Sequence, residues 1–91
     1  MKPKVVRHKY GRLNNSSYEY IGRPSKFGNP FFMKSEADRD KVVQQFEEYA
    51  RNNEWILTNI NTLTNKEIGC FCAPKKCHGD VLVKLWEENS K

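Results

Sequence analysis

The stretch EIGCFCAPKKCHGDVLVKLW, Glu67–Trp86, decides the fold. Glu67–Cys72 (EIGCFC) is short and apolar, as a buried strand requires. Pro74 cannot continue a strand ladder, so the chain must turn at Ala73–Lys76. From Cys77 to about Asn89, Val81, Leu82, Leu85 and Trp86 recur at helical spacing and share one face. A strand running through a short loop into a helix is the unit of an α/β layer fold.

The rest of the chain fits that unit. Lys4–Arg7 (KVVR) is a short strand that the sequence allows to run on toward Tyr10, before Gly11 interrupts it. Leu13–Ser17 (LNNSS) is turn-forming, and Ser17–Ile21 (SYEYI) alternates as a strand does. Ser35 suits an N-cap, with Glu36 and Asp38 in the first turn. Val42, Val43, Phe46, Tyr49 and Ala50 then draw a helical stripe, and Trp55, Ile56, Ile60 and Leu63 continue as a second, shorter helix. The order β-β-α-α-β-α predicts an α/β domain: a small single-layer sheet of about three strands with helices packed on it, Rossmann-like in outline. Several sheet orders satisfy that string.

At 91 residues the chain fits one domain, 1–91, with a modest core. Hydrophobic residues at 37% exclude a disordered composition. No apolar run reaches the ~20 residues of a membrane span, and no apolar stretch follows the basic start to make a secretory signal. The three cysteines are odd in number and crowded into Cys70–Cys77, unlike a secreted disulfide framework. The expected location is therefore cytoplasmic. The formal charge is +5, and residues 1–12 form a basic segment. An anionic partner suits that balance, as does simple solubility.

Two loops carry the candidate chemistry. Gly22–Pro30 (GRPSKFGNP) holds two glycines and two prolines in nine residues. Gly22 and Gly28 allow close backbone approach or a positive φ. Arg23 offers a fork of donors for phosphate or carboxylate, and Ser25, Lys26 and Asn29 add more. The Walker spacing is absent. The plainer reading is a surface turn with Phe31 and Phe32 in the core.

The second loop ends at a helix start, where free N–H groups and the dipole attract anions, with Lys75 and Lys76 adding charge. Its thiols admit three readings. Cys77, beside Lys76 and His78, is placed for an activated nucleophile. Cys70, Cys72, Cys77 and His78 spell C-x-C-x4-C-H, which suggests zinc held by Cys72, Cys77 and His78, although adjacent ligands and a missing second knuckle count against it. Alternatively Cys70 and Cys72 are small buried strand residues and Cys77 packs at the helix start. Asp80 is either a cap for that helix or a functional carboxylate that holds a ribose hydroxyl or acts as base.

YIGRPSKFGNPF (Tyr20–Phe31) and IGCFCAPKKCHGDVL (Ile68–Leu82) together resemble an uncharacterised family, domain of unknown function 4326, of bacterial and bacteriophage proteins. The likeness covers about residues 18–87. Phe71 stands where many relatives have Trp. By motif, the family's recurring positions fall on Gly22, Arg23, Pro24, Ser25, Gly28, Asn29, Pro30, Cys72, Pro74, Cys77, His78, Gly79 and Asp80. The resemblance carries no activity with it.

The expected function is binding of a phosphorylated nucleoside or related anionic ligand between the two loops, through Gly22, Arg23, Ser25, Lys26, Gly28, Asn29, Lys75 and Lys76. If a reaction occurs there, Cys77 or Asp80 is the nucleophile or base and His78 assists. The alternatives are a non-enzymatic phage-type module that docks on nucleic acid or a host protein, in the host cytoplasm, and a zinc-stabilised module.

Overall fold

The computed structural model describes residues 1–73 and 75–89. Strand β1 spans Lys4–Arg7, β2 Tyr18–Tyr20 and β3 Glu67–Cys70. Helices α1 (Arg39–Arg51), α2 (Glu54–Asn59) and α3 (His78–Asn89) are supplemented by 3-10 turns at Glu36–Asp38 and Ile60–Leu63. The expected single-layer α/β architecture is present, with every strand pair parallel and the order β1-β3-β2.

The last strand in the chain is central because it is the one that tolerates cover on both faces. Ile68 and Cys70 join the helical side, in one core with Ile21, Phe46, Ile60, Leu63 and Leu82. Gly69 faces the other way, where the fully buried Tyr18 ring lies across it. His8 stacks on Tyr18 and hydrogen-bonds its hydroxyl, and the Arg12 guanidinium sits 3.8 Å above the ring. Arg12 also pairs with Glu67 at 2.9 Å. Part of the basic segment 1–12 is thus a sheet strand and its cover.

The outer edge of β2 is closed locally. Asn15 N–H donates to Tyr18 O, and Tyr20 N–H donates to the Asn14 side-chain oxygen at 2.8 Å. Those bonds satisfy backbone groups that an open edge would expose.

A methyl group at Gly69 would overlap the Tyr18 phenol. Gly69→Ala is therefore expected to cost about 1–3 kcal/mol by overpacking. Urea unfolding checks this, and an unchanged midpoint would mean that Tyr18 moves aside freely.

The helical stripes match expectation at Val42, Val43, Phe46 and Ala50 of α1 and Val81, Leu82 and Leu85 of α3, all buried. Tyr49 and Trp86 are half-buried, and the Trp86 indole N–H donates to Thr64 Oγ1 at 2.7 Å. Each fully buried aliphatic or aromatic side chain contributes about 1.5–3 kcal/mol against exposure.

Several boundaries differ from the sequence reading. Ser35 precedes a 3-10 turn and makes no side-chain cap. The Asp38 carboxylate instead takes the Lys34 N–H. Strand β3 stops at Cys70, so Phe71 and Cys72 leave the sheet and are exposed. Cys72 is thus not a buried strand residue. Phe32 is also out of the core, 75% exposed, while Phe31 is half-buried with its ring edge-on to Tyr49. Pro74, read as the turn-forcing residue, lies outside the described residues. Among the described residues no helix is long and apolar enough to cross a membrane.

Candidate functional site

Because all strands are parallel, β2 and β3 release their loops at the same edge of the sheet. That carboxyl edge is where open α/β sheets form their clefts. One buried contact joins the two loops: His78 Nε2 donates to Ile21 O at 2.8 Å. A carbonyl can only accept, so the proton sits on Nε2. Burial pushes the His78 pKa below its ordinary 6.5, against the Ile21 bond, and the Arg23 charge adds to the lowering. The ring is neutral and packs edge-on against Phe46.

The first loop is shaped by its own polar groups. Ser25 N–H donates to Gly22 O, and Gly28 N–H to Ser25 O, both at 2.8 Å. Ser25 Oγ accepts from Phe27 N–H, and Asn29 Oδ1 from Phe31 N–H. Phe27 is buried against Trp55 and anchors the loop. Neither Gly22 nor Gly28 has a positive φ. Gly28 is required for close approach: a Cβ there would lie 2.8 Å from Ser25 O, a backbone atom that cannot step aside.

The second loop closes on a cap. Asp80 accepts the Cys77 N–H at 3.1 Å, and Cys77 Sγ accepts the Gly79 N–H at 3.3 Å. This is a reciprocal capping arrangement with a thiol in the usual place of a hydroxyl. It occupies the Cys77 and Gly79 N–H groups, two of the donors that the sequence offered to an anion.

Between the loops lies a cleft of about 410 Å³. Of the sequence-predicted residues, Gly22, Arg23, Asn29, Lys76, Cys77 and His78 line it, and so does Cys72. Ser25, Lys26 and Gly28 instead line a hollow beside Trp55, which Arg23 also borders, with Lys26 Nζ 5.3 Å from that ring. Lys75 is exposed and faces Glu36. Asp80 faces another hollow with Lys84. The candidate acid-base residues Asp80 and His78 are therefore not gathered around one point in the cleft.

Arg39 was missed by sequence reasoning, since it reads as an ordinary helix cation. It forks onto Glu36 at 2.7 and 2.9 Å and donates to Lys76 O at 2.8 Å, tying α1 to the second loop. Its pKa is raised by Glu36 and, next, by the Cys72 thiol beside it. The same hydrogen bonds hold the Glu36 carboxyl down to about 2. Tyr20, Phe31, Phe32, Met33 and Phe71 supply an apolar and aromatic lining that the motifs did not announce.

The buried thiols face each other, with Cys70 Sγ 2.9 Å from Cys77 Sγ. Hydrogen bonding from Cys77 lowers the Cys70 pKa below the ordinary thiol value, helped by the backbone of Cys72 and Ala73. Cys77 is pushed up by the same contact and by burial. The zinc set Cys72, Cys77 and His78 is not assembled. Cys77 is turned to Cys70, His78 Nε2 is engaged by Ile21, and among the described residues no three His, Cys, Asp or Glu side chains gather around a metal position.

Fold and site together define a small, all-parallel α/β domain with a cation- and aromatic-lined cleft at the carboxyl ends of its strands. The chain belongs to the family described as domain of unknown function DUF4326, whose model matches residues 5–88. No curated protein and no solved structure matches it.

Proposed function

We propose that the chain binds a phosphorylated nucleoside, or a closely related anionic metabolite with a flat ring, in this cleft. The observation that carries the reading is its lining. Arg23, Arg39 and Lys76 contribute to it and no described carboxylate does, with Arg39 paired to Glu36 and the Lys76 ammonium to Asp40 at 3.2 Å, so that Arg23 is its unpaired cation, while Tyr20, Phe31, Phe32 and Phe71 offer ring surfaces. Cations suit phosphate and aromatic faces suit a base. A volume of about 410 Å³ lies within the range of small-ligand sites.

Arg23 is the anchor in this reading. It is exposed, its guanidinium lies 3.9 Å over the Phe32 ring, and none of the ion pairs among the described residues includes it. Arg39 is committed to Glu36 and Lys76 O, and shapes the wall. The reading is of ligand binding and not of acid-base chemistry on the ligand, since His78 is a neutral donor to Ile21 and Asp80 faces another hollow.

Calorimetric titration with nucleoside mono- and diphosphates, the parent nucleosides and inorganic phosphate tests it. A nucleotide is expected to bind more tightly than either of its halves, and to weaken as salt rises. Equal or absent binding across the series would sink the proposal.

A further inference from the structure

We propose that Cys70 and Cys77 are a reversible disulfide site, oxidised by a small hydroperoxide that enters through the cleft. The two sulfurs are 2.9 Å apart, against about 2.05 Å for a disulfide bond. Both residues line the cleft, yet they are only 2% and 3% exposed, so a small oxidant is admitted where a protein thiol is not. Cys72 is exposed on the loop between them and is turned to Arg39. Geometry therefore singles out one pair from the three possible ones.

The chemistry balances with the hydroperoxide as oxidant. The Cys70 thiolate attacks the O–O bond: an S–O bond forms, the O–O bond breaks, and the leaving oxygen takes a proton to become water or an alcohol. The Cys77 sulfur then attacks the sulfenic sulfur: S–S forms, S–O breaks, and the hydroxyl leaves as water with the Cys77 proton. Two thiols and one hydroperoxide give one disulfide, one water and one water or alcohol. The bridge ties the end of β3 to the start of α3 around the loop that bears Cys72 and Lys76. It does not depend on the ligand proposed above.

The test treats the reduced chain with limiting hydrogen peroxide at neutral pH, then alkylates free thiols and maps the peptides. The expected product is a monomer lighter by two hydrogens before alkylation, with Cys70 linked to Cys77 and Cys72 still alkylated. Dithiothreitol should restore three free thiols. Cys70→Ser and Cys77→Ser disturb the core, so Cys72→Ser is the informative variant, and it should form the same bridge at the same rate. A bridge that includes Cys72, oxygen retained on Cys72 while Cys70 and Cys77 stay reduced, or no bridge under peroxide that oxidises a free cysteine would each overturn the proposal.

Discussion

Arg23→Ala is expected to weaken nucleotide binding roughly 10- to 100-fold while leaving the melting temperature nearly unchanged. Hydrogen bonds to charged groups contribute about 1.5–3 kcal/mol, and each ~1.4 kcal/mol is tenfold in affinity. The small thermal effect follows from exposure, because the Arg23 guanidinium lies over the exposed Phe32 ring and removing it empties no core space. Arg23→Lys should be intermediate, since an ammonium keeps the charge and loses the planar fork. Lys26→Ala is the control. That side chain lies over Trp55 on the other side of the loop, so affinity for the cleft ligand should hold. Calorimetry on the three variants reads all of this, and wild-type affinity in Arg23→Ala would remove the anchor from the proposed function.

His78→Ala should be the most damaging change at the site, with a loss of about 3 kcal/mol. The orphaned Ile21 carbonyl accounts for about 1–3 kcal/mol of it, and the vacated space against Phe46 adds a cavity cost. In a domain of this size that lowers the melting temperature by roughly 10–20 °C. His78 also makes stability depend on pH. Its folded pKa lies below the unfolded 6.5, so the unfolded chain takes up the proton first. The stability it contributes is complete above 6.5 and is lost as pH falls through the folded value. His78→Gln, which keeps a donor and cannot titrate, should lack that part of the slope. Both chains should weaken further below the ordinary carboxyl value of 4.5, where Glu36 and Glu47 begin to bind protons in the unfolded chain while their lowered folded pKa values keep them ionised in the folded one. Denaturant midpoints from pH 8 down to pH 3 separate the two contributions. Parallel curves for wild type and His78→Gln would show that His78 does not titrate on unfolding.

The elements were legible because their signals are local. Val42, Val43, Phe46 and Ala50 lie within a few residues of one another, and their spacing is a helical face whatever packs on it. The ends were less legible. Ser35 has a capping side chain but Asp38 makes the bond, and Phe71 looks like a strand residue although the ladder stops one position earlier. Tertiary contacts settle such ends.

A β-β-α-α-β-α chain, two shaped loops and a likeness to one family can be read residue by residue, because periodicity, Gly-Pro content and motif spacing are short-range properties. What those loops make depends on the folded packing. It placed β3 between β1 and β2, joined His78 to Ile21, brought Arg39 to Lys76, set Cys70 against Cys77, and turned Ser25, Lys26, Lys75 and Asp80 away from the cleft. Residues 57 apart in the chain meet at the His78 bond. No local pattern encodes that meeting. It follows from all strands running in parallel, which delivers distant loops to one edge, and from a shared core that leaves each side chain one place to go.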